Sequence, residues 1–312
     1  MNDAHIVGDI LPWRDVLHDG PVPGGLSLRQ LSRVRANYLS GVGAGDSAEL
    51  TAAFAGRDAV VERCDDYEGV VLWFEWDLYD QLQLIQLLAF FAGKLGTREQ
   101  PLKLELVCIE GYLGNLPPEK FNELDKQREI VDVAMLTLGR KAWKAVTSSS
   151  PTEVMALLDS DTIRLPFFAG ALRRFLEELP WTRDGLARSE LQLMDAIAAG
   201  NKTFGDIFQY ASDHEERIYC GDSSAADYLR RLAGGSTPLV AFQENGNYDW
   251  REQIFVQSEL TLTEAGEAVL DGRRDWIKLG GSDRWLGGMH LEGANAGWRW
   301  DADSGKAVAA RA

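Results

Sequence analysis

The apolar pattern of the chain changes period along its length, and each period predicts a different element. Residues 1–30 sustain none: "ILPWRDVLHDGPVPGG" is punctuated by Pro12, Gly20, Pro21, Pro23, Gly24 and Gly25, which mark turns. From 27 to 40 the spacing becomes helical, with Leu28, Leu31, Val34 and Leu39 near one face and Ser27 placed as N-cap. After the loop "GVGAGDS" a short helix is expected over 48–55. "GVVLWFE", after Gly69, is apolar without alternation, the pattern of a strand buried on both faces as in a parallel sheet. A helix over 78–92 follows at once, with Gly93 placed to stop it. "LKLELVCIE" at 102–110 predicts the next strand, and "LPPEKFNELDKQR" a helix opened by prolines.

This strand–helix–strand–helix order predicts an α/β domain, a parallel or mixed sheet with flanking helices, over 1–165. Helices then dominate. "SPTE" reads as a capping box with Ser150 as N-cap and Glu153 at N3. A further helix over 166–179 carries Arg173 and Arg174 on its polar side. The region 166–312 has its own grammar: three helices ("ARSELQLMDAIAAG", "TFGDIFQYAS", "GDSSAADYLRRLA"), then "PLVAF", a polar turn "QENGNYDW", and "IFVQSELTL" as a hairpin. That order predicts an α+β winged-helix-like region. It ends in a Trp-rich β-hairpin, two short strands around the Gly-rich turn of "DRWLGGMHLEGANAGWRWD".

Composition narrows the partners. The net charge of −16 and pI near 4.7 argue against affinity for nucleic acid or anionic lipid, which needs clustered Lys and Arg. Three cysteines (Cys64, Cys108, Cys220) lie far apart without a CxxC pair, which suits a reducing cytosol and excludes a cysteine zinc site. The most apolar stretch, 84–92, is about half a membrane span. The expectation is a cytoplasmic protein that binds neither nucleic acid nor membrane. No GxGxxG, Walker loop, GxSxG or HExxH occurs, so no motif names a cofactor.

Two stretches hold candidate chemistry. "PWRDVLHDGP" gathers Trp13, Arg14, Asp15, His18 and Asp19: Arg14 suits an anion clamp, and His18 a general base oriented by Asp15 or Asp19. The same residues also suit a Pro/Gly-anchored loop whose polar side chains satisfy backbone groups. "LWFEWDLYDQ" delivers Glu75, Asp77, Asp80 and Gln81 to the carboxyl end of a strand, where open α/β sheets bind ligands. Asp77 and Asp80 could hold a metal or work as an acid–base pair. Equally, Asp77 caps the helix, Asp80 at N3 supports its dipole, and Glu75 is solvated. His290 and Arg284 are secondary candidates, and "CGDSSAAD" reads as an N-cap or an anion cradle.

"LPWRDVLHDGPVP", "LSRVRANYL", "LWFEWDLYDQLQLIQLLA", "RWLGGMHL" and "WRWD" together resemble the bacterial domain-of-unknown-function family numbered 1835. The resemblance implies an α/β N-terminal domain and a helical C-terminal region, and brings no activity. Members of that family begin with a strand, a Gly-Asp-Ser turn and a helix ahead of the segment that matches "LPWRDVLHDGPVP"; here only ten residues stand there.

Two functions remain open from the sequence. One is a binder of, or enzyme for, a small anionic ligand, with Arg14, His18, Asp77 and Asp80 converging on one cavity of the α/β domain. The other is a non-catalytic interaction or regulatory protein that engages a protein partner through 183–278. That span holds ten Lys/Arg against seventeen Asp/Glu, the wrong field for a DNA duplex.

Overall fold

The Pro- and Gly-rich opening ends in a two-residue strand, β1 (Gly20–Pro21), and leads into helix α1 (Leu28–Gly41). The computed structural model describes residue 6 and residues 8–95, 102–243, 259–281 and 283–310. These form eleven α-helices and four small sheets, a mixed α/β architecture. No helix among the described residues is long and apolar enough to cross a membrane.

Ser27 caps α1 as expected: it accepts from the Gln30 amide, while the Gln30 side chain takes the Ser27 N–H at 2.9 Å. The buried face is turned one position from the apolar spacing, to Leu31, Ser32, Arg35 and Ala36, because Arg35 has partners inside. Helix α2 (Ser47–Glu62) is twice its expected length. Asp46 caps it, and a face of Phe54, Arg57, Asp58 and Val61 buries it.

Strand β2 (Gly69–Phe74), helix α3 (Leu78–Leu95), strand β3 (Lys103–Cys108), helix α4 (Pro118–Asp125) and strand β4 (Glu129–Ile130) build the α/β unit. β2 and β3 are parallel, in register from Gly69↔Lys103 to Phe74↔Cys108, and β4 adds antiparallel to β3. The expectation of a strand buried on both faces is corrected. β2 is a sheet edge whose Leu72 and Phe74 face the core, while Val71 and Trp73 stay half-buried. Trp73 leans on Phe121 of α4.

α3 is the central helix, buried from Gln81 through Leu88 with Leu78 and Phe91 beyond. Gly93 does not stop it. One helical glycine costs about 1 kcal/mol, less than the burial that carries this helix to Leu95. Helix α5 (Val133–Val146) crosses it so closely that a Cβ on Gly139 would sit 2.3 Å from Leu88 Cβ. Helices α6 (Thr152–Leu158) and α7 (Phe168–Leu176) complete this layer. Half of the capping box at Ser150 forms: Ser150 Oγ accepts from Thr152 N at 3.3 Å, while Glu153 reaches Lys144 rather than turning back to the cap.

Helices α8 (Arg188–Ala198), α9 (Phe204–Asp213) and α10 (Asp222–Leu232) precede the antiparallel strands β5 (Val240–Gln243) and β6 (Glu259–Leu262) and helix α11 (Glu264–Leu270). They share their own apolar cluster, including Leu186, Leu193, Ile207, Leu229, Leu260 and Trp276. The polar turn "QENGNYDW" lies outside the described residues but for the backbone of Gln243.

The C-terminal segment forms two hairpins, where the sequence suggested one: β7 (Asp283–Gly287) with β8 (Met289–Glu292), and β9 (Trp298–Asp301) with β10 (Lys306–Ala309). β7 also runs parallel to β1, pairing Gly20↔Leu286. The larger apolar cluster therefore spans both sides of residue 165 and takes in Leu286, Met289, Leu291 and Trp300. Gly288 and Gly24 donate their N–H groups, each at 3.0 Å, to the Val146 and Thr147 carbonyls at the end of α5. Those carbonyls have no partner within their own helix.

Candidate functional site

The loop around residues 13–21 is organised by Arg35, whose side chain is fully buried. Its Nε donates to Asp15 Oδ1 at 2.9 Å, Nη1 to the Asp19 carbonyl at 2.8 Å, and Nη2 to the Val16 carbonyl at 2.7 Å. A planar fork with five N–H groups can satisfy several turns of a loop at once, which explains why a charge sits here. Trp13 Nε1 donates to Gln86 of α3 at 2.9 Å, and Arg57 stacks over its ring at 3.9 Å. Asp19 accepts from Gly20 N at 3.0 Å and faces Arg231 of α10 at 3.5 Å. Burial alone would raise Asp19; Arg231 and neighbouring charges outweigh it and hold the carboxyl below its usual range. Arg14 is exposed.

His18 is buried between the edges of Tyr219, 4.9 Å away between ring centres, and Tyr79, 6.0 Å away. Neither ring nitrogen has a hydrogen-bond partner among the described residues. Burial draws its pKa down to about 4 against the pull of Asp19 and Glu178. Asp15 and Asp19 are engaged by Arg35, Gly20 and Arg231 rather than by the imidazole, so the ring is held by packing.

The strand-end carboxylates serve the start of α3. Asp77 Oδ1 accepts from Asp80 N at 3.1 Å, and Asp80 Oδ2 from Glu75 N at 2.6 Å. Glu75, expected to be solvated, is half-buried and accepts from Leu113 N at 2.7 Å. Burial raises all three, Asp77 to about 6 and Asp80, with Asp77 adding to it, to about 7. No group of three or more His, Cys, Asp or Glu among the described residues is arranged to hold a metal ion. The charges acting most on His18 are Asp19, Glu178, Arg35 and Arg174, whereas Glu75 acts on both Asp77 and Asp80, and Asp77 on Asp80. The two stretches meet at Tyr79, which packs against His18 and lies in the field of both Asp15 and Asp80.

Sequence reasoning missed a third cluster. Arg174, expected on a polar face, is buried: it donates to Glu178 at 2.7 Å, to Glu215 at 2.7 Å and to Ser189 at 2.9 Å. Burial would raise Glu178, but Arg174, Arg284 and the Ser189 hydroxyl hold it at about 2. The signal available was the i,i+4 spacing of Arg174 and Glu178. Arg284 is buried and donates to the Glu178 carbonyl. His290 stacks on Trp285 at 4.5 Å and meets Asp283 at 2.6 Å within its hairpin. At "CGDSSAAD", Asp222 Oδ1 accepts from Ser223 N at 2.7 Å.

A cavity of about 120 Å³ opens at the carboxyl end of β3. Its floor is Leu84, Leu106, Val107, Ile109, Leu124 and Leu165; its polar lining is Gln81, Cys108, Gln127, Glu129 and Arg164. Of the site residues expected from sequence, Gln81 lines it, donating to the Glu75 carbonyl at 2.6 Å and to Cys108 Sγ at 3.4 Å. Burial pushes the Cys108 thiol up to about 12, so it stays protonated. Arg164 Nη2 lies 2.9 Å from both Glu129 and Asp132, while its Nε is buried without a partner. A hollow of about 20 Å³ between α8, α9 and α10 has room for little more than a water. With this geometry in place, the chain was compared with protein-family models, with curated proteins and with solved structures, and none matches.

Proposed function

We propose that the chain binds a small molecule in the cleft at the carboxyl end of β3. One observation carries this reading: a cavity with an apolar floor and a few convergent polar groups stands where an α/β sheet presents ligands. The anionic class suggested by Arg14 has less support, since Arg14 is exposed and outside the lining. A thermal-shift screen of small metabolites tests the reading, because a ligand at 100-fold its Kd adds about 2.7 kcal/mol. Leu124→Trp, which fills the cavity from a half-buried position, should abolish any such shift. A shift that survives it places the ligand elsewhere.

A second reading assigns protein recognition to a winged-helix-like module over 183–278, within a 1–165 and 166–312 division of a cytoplasmic protein of the 1835 family. The use of α10 supports it over DNA binding. Arg231 is buried against Asp19 and Asp227, and Arg230 pairs with Asp227, so both arginines late in the helix are committed internally. Pull-down with the full chain, against a chain lacking the module, tests it; identical captures would remove it.

A further inference from the structure

We propose that the outer edge of β4 docks an extended, basic segment of another protein, in which apolar and cationic residues alternate. Among the described residues three large apolar side chains are far more exposed than the rest: Ile130 at 71%, Val133 at 79% and Ile163 at 77%, against at most 46% for any other. One ion-pair cluster gathers them. Arg164 Nη2 lies 2.9 Å from both Glu129 and Asp132, and each of these charged residues is the chain neighbour of one of the three. Apolar surface grouped in this way, with a charged rim, marks an interaction site; scattered single residues would not.

The backbone gives the geometry and the rim gives the charge. β4 is the outer strand of its sheet among the described residues. Val131 N donates to the Leu104 carbonyl at 3.0 Å, and bonded and non-bonded pairs alternate along an antiparallel ladder. Ile130, opposite Glu105, therefore turns its N–H and C=O away from β3. One such pair of groups sets the register of an added strand, and side chains supply the affinity. Ile130 and Glu129 point to opposite faces, so that strand needs apolar residues on one face and charges on the other. Glu129, Asp132 and Asp161, which accepts from Ile163 N at 3.0 Å, stand against Arg164 alone. Arg128 and Lys103 are taken by Asp125 and Glu105. A second copy would set this negative excess against itself in a chain of net charge −16, whereas a basic segment neutralises it.

The test titrates the full chain, in about 0.15 M salt to screen diffuse attraction, with the end-capped peptide Lys-Val-Lys-Val-Lys-Val-Lys. Two controls accompany it: the same composition with lysines and valines in separate blocks, and the alternating peptide with Glu for Lys. The expected result is amide chemical-shift change over 129–133 and at Ile163, with the alternating basic peptide at least about tenfold tighter than either control. Ile130→Lys with Val133→Lys should weaken it by about tenfold or more, and since both side chains are exposed the thermal midpoint should hold. Equal binding of the block peptide would reduce the effect to bulk charge and overturn the proposal. Unchanged binding by the double variant, or no binding by the folded wild type, would overturn it too. Sedimentation of the chain alone adds one more arm: a dimer that the double variant dissolves would give this edge to a second copy instead.

Discussion

At the residue scale the decisive side chains are buried charges, and Arg35 is the clearest. Three of its nitrogens serve Asp15 and the loop carbonyls, so Arg35→Met takes their donor from the Asp15 carboxylate and the Asp19 and Pro21 carbonyls, while the Val16 carbonyl keeps only the Asp19 N–H. The expected loss is about 3–5 kcal/mol by denaturant unfolding, and Arg35→Lys should recover little of it, since an ammonium lacks the fork. Recovery to wild-type stability by Lys would show that only the charge matters. His18 and Asp80 give opposite pH responses. His18 titrates near 4 when folded and near 6.5 when unfolded, so it costs stability as pH falls through that window. Asp80, raised from 3.8 to about 7, costs stability as pH rises through its own. His18→Leu should therefore flatten the decline as pH falls from about 6.5 to 4 by about 2–3 kcal/mol, and Asp80→Asn the decline as pH rises from about 4 to 7 by about 1–2 kcal/mol. Urea midpoints from about pH 4 to 8 check both; equal slopes in a variant and the wild type would remove that residue from the account. Little of this was legible in sequence. "LSRVRANYL" carries Arg35 on a helix whose apolar spacing points elsewhere, and the residues that hold it lie up to twenty positions away.

At the scale of elements, local chemistry was legible wherever it was self-sufficient. Ser27 with Gln30, and Asp77 with Asp80, satisfy helix N–H groups within four residues, and both were visible as spacing. The failures are places where packing decides. Gly93 reads as a stop and Glu153 as the closing half of a capping box, yet α3 is extended by burial, and Glu153 is drawn to Lys144. Gly139 attracts no notice in sequence, but it is where α3 and α5 touch. One substitution separates the two kinds of helical glycine. Gly93→Ala meets nothing within 4 Å and should stabilise by up to about 1 kcal/mol. Gly139→Ala places its Cβ 2.3 Å from Leu88 Cβ and should destabilise by about 1–2 kcal/mol after the helix-propensity gain. Thermal midpoints moving in the same direction would contradict the close crossing.

At the scale of the molecule, the change of pattern that sequence shows near 165 hides a return of the chain. Nothing local in "DRWLGGMHL" says that its strand will run beside Gly20–Pro21, or that Gly288 will cap α5 from 142 residues away; only the fold brings such groups together. The segment between the returning parts enters and leaves at one place, since Trp276 N donates to the Asp184 carbonyl at 2.6 Å. It also carries its own apolar cluster. Geometrically it is an insertion, docked by Arg174 on Glu215, by Arg231 on Asp19 and by Arg217 on the Trp76 and Phe167 carbonyls. Two deletions then have unequal consequences. Excising 185–275 and bridging the ends with a short Gly linker exposes those docking charges to water, which solvates them, and the remaining α/β part should still unfold cooperatively. Ending the chain at 282 removes far fewer residues, yet it strips Leu286, Met289, Leu291 and Trp300 from the larger core and uncaps α5. Losing several fully buried side chains at about 2–4 kcal/mol each exceeds the stability of an ordinary domain, so the near-UV signal and the cooperative transition should disappear. A sharp transition in the truncated chain would mean that the C-terminal hairpins rest on this core without building it.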